Sequence, residues 1–468
     1  MQKRNFILLI IVLVAIVFGT FAVFYFTGTP SKTTGPSASG GTNFFTNLFS
    51  FGKKTTPTEN TTDTPADISG YVAPVRDIVP SNLKKISSMP IAGFAVFMKE
   101  RFKDVPDVTP TPTPTVTTST DTSIGGTATT GTSTKTSKDK KKTTTIKPVA
   151  PPTEFVPTLR YVEKATGNIY QTFAEQIDER KFTTTVIPKV YEAVFSKNAD
   201  SVVMRYLKEK GGMIETFVGA LPKQILGADS MSSTEMTGSF LPENITDLSM
   251  SYDGSKMFYL FNYTNNAVGI SAGPIGEQKT QIFNSPFTGW LSSYPNPSLV
   301  TLTTKPSSAM PGFMYAVDSN RKTYKKILGD INGLTTLTSP NGNLVLYSDN
   351  TLALHLYHLD TGNTDTLGAK TMPEKCTWNK TSTMIYCAVP KSIDSGDYPD
   401  TWYQGEVSFS DEIWKIDATT GNATAIADPT ASEGGEAIDG TKLAVDDSEN
   451  YLFFVNKKDS YLWELKLQ

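Results

Sequence analysis

The side chains able to do chemistry concentrate in one segment, residues 391–411, which reads KSIDSGDYPDTWYQGEVSFSD. It gathers Asp394, Asp397, Asp400 and Glu406 with Tyr398, Trp402 and Tyr403. Aromatic rings beside carboxylates on a loop suit recognition, because rings bury much area at little entropic cost and loops on rigid scaffolds carry binding groups. Tyr398, Asp400, Trp402, Tyr403 and Glu406 are therefore the candidate binding residues. In the competing arrangement Trp402 and Tyr403 fold back as a plug and the acids are merely solvated. The acids lack EF-hand spacing, so calcium is the weaker expectation. Neither a resident metal ion nor an organic cofactor is expected.

Other reactive types are sparse. Cys376 and Cys387 lie symmetrically about Thr381-Ser382, so in a regular hairpin they face one another at a separation a disulfide can span. Such a bond persists outside the cytoplasm. His355 and His358 are three apart on one strand pattern, which points them to opposite faces and rules out a shared metal. There is no nucleophile elbow, phosphate loop, dinucleotide fingerprint or zincin helix motif. Adjacent Asp446 and Asp447 diverge on a strand and make a poor general acid/base couple. Carboxylates contributed by separate repeats could still assemble a glycosidase-type pair.

What must position these residues is a repeat. The stretch 246–261, TDLSMSYDGSKMFYLF, alternates apolar residues on both sides of an Asp-Gly turn, the mark of a β-hairpin. Similar units begin near Tyr191, Trp290, Leu334, Lys375 and Lys442, close to the ~40–45-residue period of a four-stranded propeller blade. The chain ends in three strands only: KLAVDD, YLFFVNKK and YLWELKL. The missing fourth is assigned to residues 83–87, far upstream, which would leave no open edge at the seam. Residues 90–102 then begin blade one, completed by LRYVEKA, NIYQTF and KFTTTV. The expected fold is an all-β, seven-bladed propeller, with six blades as the runner-up.

Two segments carry a Ser-x-Asp/Asn-Gly turn between apolar strands, residues 251–254 and 339–342, and two carry the later Asp…Thr-Gly-Asn element of the same repeat, residues 359–363 and 416–422. This pattern resembles the WD-type and TolB-type propeller repeats. The resemblance covers roughly residues 80–468 and implies architecture, since propellers host scaffolds, binding modules and enzymes alike. The layout as a whole is similar to membrane-anchored propeller proteins of bacteria.

Ahead of the repeats, residues 6–26 form an apolar run without a charge, preceded by Lys3 and Arg4. About 20 residues suffice to cross a bilayer, and the flanking charges place the N-terminus inside. The reading is a cytoplasmic tail over 1–4, an uncleaved transmembrane signal anchor over 5–27 and a flexible Ser/Thr/Gly/Pro tether over 28–70. The propeller takes 71–468, with a disordered insert at 105–152. An apolar island at 43–51 and the basic patch at 138–142 lie in these low-complexity tracts. A net charge of −3 argues against nucleic-acid binding, which needs a basic face.

In a propeller the tether and the 105–152 insert leave from one face, here taken as membrane-facing. The 391–411 loop leaves from the other. The expectation is an extracytoplasmic, single-pass cell-membrane protein whose propeller binds an envelope protein or a polysaccharide. The alternative is a hydrolase or lyase with carboxylates around the channel.

Overall fold

The computed structural model describes residues 75–76, 83–103, 152–208, 212–224, 234–243, 245–431 and 435–467. The membrane-anchor, tether and basic-patch assignments, the 43–51 island and nearly all of the 105–152 insert lie outside the described residues. No helix among the described residues is long and apolar enough to cross a membrane.

Among the described residues the strands form seven sheets, each with four antiparallel strands, so the seven-bladed count holds. Each blade runs its four strands in sequence order with one exception. Blade seven comprises Gly440–Val445, Tyr451–Asn456, Leu462–Lys466 and, on its outer edge, Leu83–Lys85. Leu83 pairs with Leu465 and Lys85 with Trp463, antiparallel. The ring is thus closed by the segment assigned to it from sequence. Ser87 Oγ accepts the Leu462 amide at 2.9 Å and seals the end of this pairing.

The core is divided among the blade interfaces. Seven apolar clusters each draw residues from two neighbouring blades. At the seam, Ile86 and Tyr451, Phe453 and Leu462 of blade seven pack on Ile91, Leu159 and Tyr161 of blade one. Each such side chain, fully buried, contributes about 1.5–3 kcal/mol of transfer free energy. The period-two alternation of the strands supplies the apolar faces on which neighbouring blades stack.

The turns between first and second strands repeat one chemistry. Ser251 Oγ accepts the Lys256 amide while Asp253 accepts the Ser255 amide. In blade five Ser339 and Asn341 do the same for Leu344 and Asn343. Gly254 sits at φ +70°, and a Cβ there would lie 2.1 Å from the Lys197 backbone nitrogen, so no other residue fits.

Two features depart from the sequence expectation. The fourth strand of blade one is Gln176–Lys181 rather than KFTTTV. Outer strands are half-solvated and accept charge, so the β-branched stretch lost to a charged one that directly follows its partner in a tight hairpin. Val75–Arg76 also adds a fifth, parallel strand to blade six, beside Ala423–Ala427. Two residues carry no periodicity by which to find them.

If Ile86 seats the closing strand as described, Ile86→Ala should cost about 2–4 kcal/mol, the value for a deep core position. Urea unfolding of the Ile86→Ala chain checks this; a change near zero would mean the segment contributes nothing.

Candidate functional site

Because successive strands run antiparallel, connections from strand two to three and from blade to blade emerge at one end of the channel. The segment 391–411 is one of these, joining Met384–Pro390 to Asp411–Asp417 in blade six. It folds into a short helix, Asp400–Gln404, that reaches neighbouring connections on the same end of the ring. Trp402 is 4% exposed and Tyr398 is 4% exposed; both pack with Leu352, Met372 and Phe409. Asp400 accepts the Ser308 amide of blade four at 2.5 Å. Lys457 of blade seven donates to the Trp402 carbonyl at 2.6 Å and sits over its ring. Tyr403 donates to Glu374 in the connection entering blade six.

The expected binding residues thus divide between buried and exposed positions. Tyr398 and Trp402 are buried against Leu352, Met372 and Phe409, on the side of the fold-back arrangement. Tyr403 leaves 43% of its surface exposed but turns its hydroxyl inward, where burial and the Glu374 carboxylate hold its pKa well above the usual range. Asp400 is spent on the Ser308 amide, and Glu406 is exposed. Among the described residues no three His, Cys, Asp or Glu side chains converge to hold a metal ion.

Beneath the plug lies a cluster that the sequence did not reveal. Lys375, Asp411 and Asp439 are each fully buried, and the Lys375 ammonium contacts both carboxylates, Asp411 Oδ2 at 2.8 Å. The trio comes from the connection into blade six, its third strand, and the residue before blade seven. Asp439 Oδ2 accepts Trp402 Nε1, Ser408 Oγ and the Phe409 amide, each at 3.1 Å. Asp411 Oδ2 also accepts the Gly440 amide at 2.7 Å, while Asp411 Oδ1 is buried without a partner. Burial pushes the Asp411 carboxyl up to about 6, against the pull of Lys375. Desolvating such ions costs several kcal/mol each, offset only by close and complete pairing.

At the opposite end, turns of separate blades are tied together. Asp447 of blade seven bridges Lys197 of blade two at 2.8 Å and Lys380 of blade six at 3.0 Å. Asp446 caps its own turn through the Ser448, Asn450 and Tyr451 amides. A cavity of about 220 Å³ near this end is lined by Ser, Thr, Pro, Met, Leu and aromatic side chains, without a carboxylate. Acids on the inner strands have structural partners: Glu192 binds Arg205 at 2.7 Å, and Asp247 accepts the Ser292 amide at 2.5 Å. His355 bonds Thr366 and stacks on Tyr347, whereas His358 pairs with Asp365. The Cys376 and Cys387 sulfurs are bonded, with the two residues directly paired across the hairpin.

A concave surface with a largely apolar lining lies between blades three and four, with a volume of about 610 Å³. Phe283 and Phe287 from the end of blade three meet Trp290, Phe313, Tyr315 and Tyr324 of blade four. All but Phe313 pack edge to face at 5.1–6.0 Å between centroids, and Trp290 Nε1 donates to the Phe287 carbonyl at 2.7 Å. Phe287, Tyr324 and Met310 are 50%, 60% and 66% exposed. Lys305 and Ser307 stand on the rim, next to the Ser308 that Asp400 holds. These rings are spread over some forty residues on separate strands, each fitting its own alternation, so no local signal marked them.

No family model and no curated protein matches the chain. Among solved structures it is similar to an oligogalacturonate lyase in complex with manganese, at 11% identity, 66% of this chain, 85% of that one and a TM-score of 0.45. An oligogalacturonate lyase from Vibrio parahaemolyticus is matched at 10% identity over 66% of this chain and 86% of that one, also with a TM-score of 0.45. Likenesses of this size say nothing about activity.

Truncating the plug should separate its two rings. Trp402→Ala should lower stability by about 3–5 kcal/mol, and Tyr403→Ala by about 1 kcal/mol or less, in chemical denaturation. Replacing both cysteines by serine should cost about 2–3 kcal/mol, the usual effect of a short closed loop, and adding reductant to the double variant should change nothing further.

Proposed function

We propose that the chain is a membrane-anchored, extracytoplasmic propeller that binds a segment of another envelope protein in the groove between blades three and four. The observation that carries this reading is the groove itself: six aromatic residues in a concave surface, three apolar side chains left substantially exposed. Exposed apolar patches on a rigid scaffold mark interaction sites, and buried aromatic anchors dominate interface energetics. Sugar sites commonly match the many hydroxyls with several converging polar groups, carboxylates and amides among them. The groove lining has neither, only Ser, Thr, Lys and ring polar atoms. An apolar protein side chain is the better match.

The anchor over residues 5–27 and the tether over 28–70 complete this reading. They would confine the groove near the membrane and raise its effective concentration there. The bonded Cys376–Cys387 pair supports an oxidising location. The turn motifs favour the WD-type or TolB-type propellers as its relatives. A hydrolase or lyase would need acids free to act at the channel, and the plug, the ion pairs at the far end and the engaged Glu192 and Asp247 weigh against it.

The test is capture of envelope components by the purified chain, with isolated cell-wall glycan as a parallel arm. Phe287→Ala with Tyr324→Ala should weaken protein capture at least tenfold, about 1.4 kcal/mol or more, with the thermal midpoint nearly unchanged. Retained capture in that variant, or glycan binding abolished by it, would contradict the assignment.

A further inference from the structure

The fully buried trio below the plug has every group a condensation needs. Its lysine is aimed at two carboxylates, in surroundings of Met372, Trp402 and Phe409, with both rings 5.5 Å from the lysine nitrogen. We infer that Lys375 and Asp439 are joined by an intramolecular amide cross-link, with Asp411 carrying the protons between them. This is independent of the groove and of any partner.

The step balances without a co-reactant. Asp411 takes a proton from the Lys375 ammonium, and the freed amine attacks Asp439 Cγ. A new Nζ–Cγ bond forms, and the charge developing on Oδ2 falls among three donors already in place: Trp402 Nε1, Ser408 Oγ and the Phe409 amide. Preorganised donors at the developing oxyanion are the most effective form of such stabilisation. Oδ1, which faces the lysine and shares Trp402 Nε1 with Oδ2 at 3.2 Å, leaves as water. Its two protons both come from Nζ, passed through Asp411, which ends as it began. Burial of Asp411 favours its protonated form, as a relay between amine and leaving oxygen requires. The unpartnered Asp411 Oδ1 is a vacant acceptor for that shuttling proton.

The product satisfies its surroundings better than the ion pair does. The remaining amide N–H has the Gly440 carbonyl at 3.1 Å, and the amide oxygen keeps the three donors. One positive and one negative charge vanish from a dry site. The link would fasten the entry to blade six onto the start of blade seven, across 64 residues of sequence. Its neighbour Cys376 already ties the same strand to Cys387.

Tryptic mapping of the purified, reduced and alkylated full-length chain tests this. A modified Lys375 resists cleavage, so peptide 371–380 should appear intact and joined to peptide 416–442, lighter than their sum by one water. The joined species should disappear in Asp439→Ala and in Asp411→Asn, the latter with its near-ultraviolet circular dichroism preserved. Release of free 371–375 and 416–442 from most wild-type molecules would overturn the cross-link. A link surviving in Asp411→Asn would overturn the relay.

Discussion

A propeller is stable only as a ring, because an open blade would present an unpaired strand edge and leave one apolar face bare. Here the ring depends on three residues. Leu83–Lys85 pair with Leu462–Lys466, and Ile86 and Ile91 carry the chain from the last blade into the first. The two ends of the propeller segment are therefore fastened to each other, which also resists unfolding from either end. The seven interblade clusters follow from that closure, since each blade needs two neighbours to bury both faces.

Closure creates a channel, and the structure spends much of its polar chemistry on filling it. Above, the Asp400–Gln404 helix reaches blades four, six and seven through Asp400, Tyr403 and Lys457. Below, Asp447 gathers lysines from blades two and six. The apolar concave surface lies apart from both, between blades three and four. The two regions are linked, because the Ser308 amide held by Asp400 sits in the same loop as the rim residues Ser307 and Met310.

Architecture was legible because it is periodic. Counting strands in fours exposed the shortage at the C-terminus and identified its replacement upstream, and the hairpin symmetry of Cys376 and Cys387 placed them opposite each other. The site was less legible, since exposure is not encoded locally. Tyr398 and Trp402 look in sequence like loop anchors for a partner, yet a loop over a cavity buries such rings. The groove rings, conversely, look like core. Lys375 stood at the start of a strand pattern, and nothing in sequence joins it to Asp439, 64 residues away. Only folding brings such charges together, and a buried lysine breaks the rule that charge stays outside.

The closed ring is the claim on which the groove, the plug and the cross-link all rest. Amide hydrogen exchange of the intact chain tests it most directly, because backbone protection reports the free energy of opening segment by segment. The account predicts that amides of residues 83–87 exchange as slowly as those of Leu462–Lys466, and that both lose protection together as denaturant is raised. Exchange of 83–87 at the rate of a free tail, with 462–466 still protected, would contradict it.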